Sequence, residues 1–426
     1  MTEATAPRPA PRPAPPSGRT SGPGAEGAAA VAIRDLPRFE KRPEGWTDHD
    51  FIAHWRAQGP AAVDRYGIVT LFGHDDLWRA VDPRFTRQVG LEAMLMQGRS
   101  SGAVYDFFDR SLLFANDARH RARRGPLARA FAHPLMNALR DEIAGQMREL
   151  VRGLKGREVD FGAEVSGQLA ARMIASVLGL PAADIPHFTQ VVYGASRGLS
   201  FRSKEVLDEA DVDMAELVAY AARLLDDRRA RPREDFLTEF LAKVEGADLS
   251  EDEIRTQVAT VVLGGADTTR MALASGFAQI LARPGQWAAL KADPEGLKVS
   301  AAAECLRFDP VVGSIPRLAI EDFEIAGVAI PKGTYLAASL LGALRDPGVY
   351  AAPETFDIAR ADHPKLHPVF GAGAHRCLGE ALARAELEEA LVVLAEEAPE
   401  AELIGAPPVL RGLGGTRGLP ETRIRL

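Results

Sequence analysis

Phe370-Gly371-Ala372-Gly373-Ala374-His375-Arg376-Cys377-Leu378-Gly379 is the stretch that decides how this chain is read. One cysteine sits in a glycine-rich loop, and an alanine- and leucine-rich helical pattern follows at once. Glycines let a backbone turn sharply and approach a flat ligand where a Cβ would clash. A thiol just ahead of a helix N-terminus feels the positive end of the helix dipole, which favours the thiolate. A thiolate held this way is a good axial ligand for a haem iron. A lone cysteine in a glycine loop is otherwise ordinary core. The coincidence of Phe370, Gly371, Gly373, His375, Cys377 and Gly379 in one pattern favours the ligand.

Working outward, the next signal lies about a hundred residues upstream. Ser250 followed by Glu253 is a capping box. It opens a helix predicted to run to about Arg283, where Pro284-Gly285 stops it. That is roughly 32 residues, or ~48 Å at 1.5 Å per residue, enough to cross a whole domain. Leu263-Gly264-Gly265-Ala266-Asp267-Thr268-Thr269 lies in its middle. Two interior glycines cost about 1 kcal/mol each relative to alanine. The space they leave admits a ligand to the backbone, and a Thr hydroxyl can bond a carbonyl one turn back. Further along, Glu304 and Arg307 stand three apart and share a helix face. Such a pair alone carries little information.

The remaining pattern is mostly helical. Residues 117–154 and 163–230 read as helices, the first broken at Gly125-Pro126 and near Pro134, the second at Pro181, Pro186 and Gly198. Residues 68–72 read as a strand, and residues 323–336 as short strands and turns around Gly327 and Gly333. A last helix runs from just after Cys377 to about Glu397. The expected fold class is mainly α with small β-sheets (α+β).

The cysteine loop resembles the signature of the cytochrome P450 family, Phe-Gly-x-Gly-x-His-x-Cys-x-Gly, at every fixed position. The resemblance covers roughly residues 35 to 426. It implies one large domain with haem b (iron protoporphyrin IX) between the long helix and the cysteine loop, Cys377 as iron ligand and O2 as co-substrate. Carried over residue by residue, Thr268 would hold the dioxygen and Asp267 would relay protons, with Gly264 and Gly265 against the haem. Phe370, Gly371 and Gly379 would contact it from the loop. His120 and Arg124, one turn apart, with Arg317 and His375, would clamp the two propionates, for which the planar Arg fork is suited. Glu304, Arg307 and Arg360 would be structural, holding the cysteine loop. One departure is Gly125-Pro126, where the family helix usually continues. A kink or a helix start is expected there.

By family position, Met94, Met96, Phe107, Phe108 and Val192, with Leu263, Ala266, Val312 and Ile315, would wall an apolar pocket. Arg99, Arg197 and Arg202 are near enough in sequence to anchor a carboxylate. The implied function is a monooxygenase that inserts one atom of O2 into a hydrophobic small molecule by hydroxylation or epoxidation. Electrons would come from a separate ferredoxin and its NAD(P)H-dependent reductase. The basic cluster Arg119, Arg121, Arg123, Arg124 and Arg129 would form the docking face, speeding encounter more than tightening it. Two other readings stand beside this one. A peroxide-driven peroxygenase is opposed by the Asp267-Thr268 pair. A haem-binding sensor without turnover would more often carry a signalling module.

The bulk numbers bound the rest. The chain has 426 residues, 46% hydrophobic and 26% charged, as expected of a globular protein. A net charge of −8 argues against nucleic acid as the main partner. No apolar run is long enough for a transmembrane helix. Two cysteines, Cys305 and Cys377, give no disulfide framework, which fits a reducing cytoplasm, and Cys305 reads as core. Residues 1–30, rich in Pro, Ala and Gly and without the apolar centre of a signal peptide, are expected to be a disordered tail. The haem-thiolate domain would span 31–426, as a cytoplasmic monomer with no membrane anchor.

Overall fold

The computed structural model of this chain describes residues 30–131, 139–200 and 202–426. The N-terminal tail, the expected break near Pro134, and Phe201 lie outside the described residues. Helices dominate, and their frame is the 31-residue helix Glu251–Leu281. Its capping box is present: the Ser250 side chain accepts from the Glu253 N–H while the Glu253 carboxylate accepts from the Ser250 N–H. From Val258 to Ile280 this helix is buried on almost every side, as a helix at the centre of a large domain must be. Ser166–Leu178, Lys204–Ala230, Pro294–Phe308 and Glu380–Glu397 pack against it around one continuous apolar core. Gly276 permits the approach of Pro294–Phe308, because a Cβ there would collide with Cys305. Cys305 is core, as its neighbours suggested.

A second core lies at a five-stranded mixed sheet, ordered Ala61–Val63, Val69–Leu71, Tyr335–Ser339, Ser314–Ala319, Thr86–Gln88. Val69–Leu71 is parallel to Tyr335–Ser339, and the other pairs are antiparallel. The register sets Arg317 opposite Gln88, which carries Arg317 to the edge of the functional cavity. The strand expected at 68–72 is Val69–Leu71. The expected turn at Gly327 joins Phe323–Ile325 to Val328–Ile330, with Ala326 and Gly327 at φ 56° and 71°.

Two proline readings are corrected. Gly125-Pro126 neither starts nor stops a helix: Asp117–Ala130 continues through it. The missing N–H removes one internal bond, but tertiary anchoring outweighs that loss. Pro126 and Leu127 are buried, and Arg123 grips Glu253 and the carbonyls of Asp109 and Ser111. Pro186 opens Ile185–Ser196 rather than breaking it, since a first-turn proline has no internal bond to lose. Among the described residues no helix is long and apolar enough to cross a membrane.

Candidate functional site

The cysteine loop is a set of turns that its glycines make possible. Gly371 (φ 69°) and Gly373 (φ 61°) occupy left-handed backbone, where a side chain would be strained. The Cys377 N–H donates to the Phe370 carbonyl at 2.8 Å and closes the loop. Arg376 braces it from outside, donating to the Gly371 carbonyl and to Glu380, each at 2.7 Å. Three residues on, Glu380–Glu397 begins. Cys377 lines a cavity of about 420 Å³ between this loop and the long helix. The residue has accessible surface, yet it lies deep among protein atoms. Burial therefore pushes its thiol up, against the pull of a Gly379 backbone hydrogen bond and of Arg124 and Arg376. The helix dipole alone does not make the thiolate. A coordinating metal would, since coordination deprotonates a thiol outright.

Beside the thiol, donors converge with no acid to meet them. Arg317 is 4% exposed, and among the described residues its hydrogen-bond partners are the Gln88 side chain and the Pro316 carbonyl. With no carboxylate at hand, burial alone lowers it to about 10. Arg124 donates to the Arg376 carbonyl at 2.7 Å. His120 Nε2 is buried with no partner among the described residues, and its ring centroid is 4.1 Å from that of His375. Burial first, then the surrounding cations, hold His120 at about 4 and His375 at about 3, so both are neutral. Burying a guanidinium without a counter-ion costs several kcal/mol. This cradle fits the paired carboxylates of a haem lying over Cys377, and Phe370, Gly371 and Gly379 line the same space.

A second charge cluster stands behind the loop. Glu304 and Arg307 are both fully buried, paired at 2.6 and 2.8 Å. Arg360 stands 3.2 Å from Glu304. Arg307 also donates to the carbonyls of Leu344, Pro353 and Thr355, and Arg360 to that of Thr355. The three side chains thus bolt an irregular segment, residues 344–360, to the helix beneath the cavity. None of them lines it.

On the opposite side, one stripe of the long helix faces the cavity: Thr260, Val261, Gly264, Gly265, Thr268, Thr269 and Ala272, spaced three and four apart as one helix face requires. Gly264 is open, while a Cβ on Gly265 would collide with Ile174 of the neighbouring helix. Gly265 is therefore demanded by helix packing as much as by any ligand. Thr268 Oγ1 donates to the Gly264 carbonyl at 3.2 Å, the one-turn-back bond its position suggested. Asp267 is a step off the stripe. Its carboxylate pairs with Arg270 at 2.6 Å and accepts from Ser196 Oγ at 3.1 Å, and it does not line the cavity.

The pocket walls depart most from expectation. Val312 and Ile315 line the cavity, but Met94, Met96, Phe107, Phe108, Val192, Leu263 and Ala266 do not. Leu263 and Ala266 are rotated off the stripe into the core. Phe107, Phe108, Met94 and Val192 are core as well, and Met96 is 46% exposed. Leu199, apolar and expected over the haem by family position, does line it, and in place of the rest stand Leu112, Leu113, Phe114, Val261 and Thr416. The helical period counted back from Thr268 would have found Val261; nothing local marks the others. Glu386 was also missed. It lines the cavity, both its carboxyl oxygens are buried with no partner among the described residues, and burial raises it well above the usual carboxylate range.

The candidate anchors are occupied. Arg99 is held by Asp208 and Asp211, and Arg197 by Glu209 at 2.9 Å and Asp213 at 3.6 Å. Arg202 is exposed, away from the lining. In the basic cluster, Arg123 is buried against Glu253, while Arg119 pairs with the same carboxylate and stays exposed. Arg121 and Arg129 remain exposed.

Comparison with known proteins agrees with this geometry. A family model described as Cytochrome P450 matches residues 188–293 and 300–396. Plant-inducible cytochrome P450-pinF1 of Rhizobium radiobacter is 40% identical over 383 residues, spanning 89% of this chain and 90% of that one. A steroid C26-monooxygenase of Mycolicibacterium smegmatis is 32% identical over 390 residues, 87% of each chain. The crystal structure of P450BioI, in complex with an acyl carrier protein carrying hexadec-9Z-enoic acid, superposes with a TM-score of 0.81 at 26% identity. That match covers 89% of this chain and 98% of the other.

Proposed function

This chain belongs to the cytochrome P450 family and is a haem-thiolate monooxygenase, and on that premise we propose that it oxidises a neutral, apolar small molecule with electrons from a separate ferredoxin-type protein. The family's cofactor is haem b and its co-substrate is O2. Bound haem supplies the activation of dioxygen and the transfer of one oxygen atom. The chain's own residues do the rest. Cys377 offers the sulfur ligand. Arg124, Arg317 and His375, which line the cavity, would hold the propionates, with His120 stacked behind His375. Thr268 presents a hydroxyl at the open notch of Gly264, where it can hold and pass a proton. Asp267 can join that relay only on leaving Arg270.

The observation that carries the substrate reading is the state of the arginines. Arg99 and Arg197, the arginines close in sequence to the expected pocket, are spent on carboxylates of their own and do not line the cavity, and the wall of Leu112, Leu113, Phe114, Leu199 and Val261 is apolar. Arg317 and Arg124 belong to the haem clamp. Apolar walls with few polar anchors suit a neutral ligand. For the electron donor, the exposed Arg121 and Arg129 support an acidic docking partner.

The test is a ferric spin-state titration with matched pairs, a long-chain alcohol against its carboxylic acid and a terpene alcohol against its acid. The neutral member should bind tighter by about tenfold; tighter binding of the acid would overturn the substrate reading. Turnover with ferredoxin and reductase, compared with hydrogen peroxide alone, decides the donor. In the same assay Thr268→Ala should retain haem and divert reducing equivalents to peroxide.

A further inference from the structure

Outside the haem clamp, one buried charge cluster has no part in the function so far. Arg417 is among the largest fully buried side chains of the protein. One of its terminal nitrogens pairs with Asp309 and donates to the Pro310 carbonyl at 2.9 Å. The other reaches Asp48 at 3.3 Å and the Leu410 carbonyl at 2.5 Å. The two acids take more than the guanidinium. Asp48 accepts from the Gly412 N–H at 2.7 Å, and Asp309 from the Leu410 N–H at 3.1 Å and from His49 Nε2 at 2.9 Å. Arg42 closes the cluster from the surface by pairing with Asp48. Two arginines balance two aspartates. His49 completes the set as a neutral donor, lowered to about 4 by burial and by the nearby arginines.

The placement matters more than the balance. Every backbone group gripped by the cluster belongs to the base of residues 410–417 or to Pro310. The segment between carries Gly412, Gly414 and Gly415, which leave its tip pliant. That tip is laid against residues 311–315: Arg417 N–H donates to Val311 at 2.9 Å, Gly313 N–H to Gly414 at 2.8 Å, and Val312 bridges Thr416. Val311, Val312, Gly415 and Thr416 all line the cavity. A base gripped by buried side chains thus supports a glycine-bearing tip, itself bonded to Gly313 and Ser314, that forms one wall of the ligand space, and the helix that starts at Asp48, through Asp48 and His49, is part of the brace.

We propose that Arg417 is a positioning residue for ligand shape: by tying the base of residues 410–417 to Asp48 and Asp309, it sets how far Thr416 and Val312 reach into the cavity. This rests on the haem-thiolate reading above, since the cavity is the distal ligand space only if haem occupies the Cys377 side.

The experiment uses haem-loaded protein and ligands that bind the iron directly. Imidazole reports the iron site alone; phenyl- and biphenyl-substituted imidazoles also probe the wall. In Arg417→Met, imidazole affinity should stay within about twofold of wild type, while the ratio of bulky to small ligand affinity should change by about tenfold, the scale of shape discrimination in apolar pockets. Arg417→Lys, which keeps the charge, should recover part of the wild-type ratio. Hydrogen exchange at residues 410–417 should quicken in Arg417→Met. If Arg417→Met accumulates no haem-loaded protein, Asp48→Asn carries the test, because Arg417 keeps Asp309 while the hold on Gly412 weakens. A ratio change of about threefold is then expected. A wild-type ratio in the folded, haem-loaded variants overturns the proposal. A wild-type protein showing no imidazole-induced spectral shift would instead overturn the haem reading beneath it.

Discussion

The two faces of the cavity are built in opposite ways. The face that offers sulfur is one contiguous decapeptide, residues 370–379, closed by its own backbone bond from Cys377 to Phe370 and braced by its own Arg376. The face that meets the ligand gathers residues 112–114, 199, 261–272, 311–315 and 415–416, brought together by tertiary packing. A local face can be read as a word. A dispersed one depends on helix phase and on how loops land, and only the assembled chain reveals it.

The largest test of that contrast is Cys377→Ser. It should abolish the red-shifted Soret band that the ferrous carbonyl complex owes to sulfur ligation, and persistence of the band would remove the premise. Next comes the brace behind the loop. Arg307→Met takes the two-bond partner from the buried Glu304 and leaves it only Arg360, 3.2 Å away, and loss of one partner of a buried pair costs about 3–5 kcal/mol. Urea denaturation of the haem-loaded protein should show it, and a loss under about 1 kcal/mol would mean that residues 344–360 hold without the bolt.

Smaller, and aimed at the dispersed face, is a pair of changes two residues apart on the long helix. Leu263→Ala should lower stability by about 2–5 kcal/mol, as a core truncation does, and leave imidazole binding unchanged. Val261→Phe should do the reverse, with little loss of stability but strong exclusion of bulky azoles. If Leu263 proves the ligand-sensitive position, the helix phase described above is wrong.

The smallest effect belongs to Glu386. Its buried carboxyl stays protonated in the fold at pH values where the unfolded chain ionises, so the unfolded state binds fewer protons. Stability therefore falls as pH rises above the ordinary Glu value of about 4.3. Glu386→Gln should flatten that slope and gain stability at neutral pH while changing nothing near pH 4. An unchanged slope between acidic and neutral pH would show that Glu386 finds a partner in the loaded protein.

What was legible in the sequence follows the same division. The capping box Ser250–Glu253, the stop at Pro284, the strand at 69–71 and the turn at Gly327 are decided within a few residues, and each was readable. So was the cysteine loop. Pro126 misled because local propensity charges it with a broken helix, whereas Arg123 and a buried face hold the helix through it. Met94, Phe107 and Phe108 misled for a related reason: an apolar residue near a site in sequence packs as core unless the backbone aims it inward. Arg123 read as part of a solvated basic face, but the capping Glu253 lies close enough to draw it inward; Arg119 pairs with Glu253 and stays exposed. Arg417, Asp48 and Asp309, spread over more than three hundred and sixty residues, have no signature that a linear reading could assemble.

Gly276 has a practical consequence for anyone handling the protein. Because it seats Cys305 against the long helix, that residue is only 5% exposed, and its sulfur is closed to alkylating reagents until the chain unfolds. The other cysteine opens only onto the cavity that haem would fill. Counting reactive sulfurs under native conditions therefore becomes an assay of occupancy: one for each empty molecule and none for each filled one, with no chromophore required.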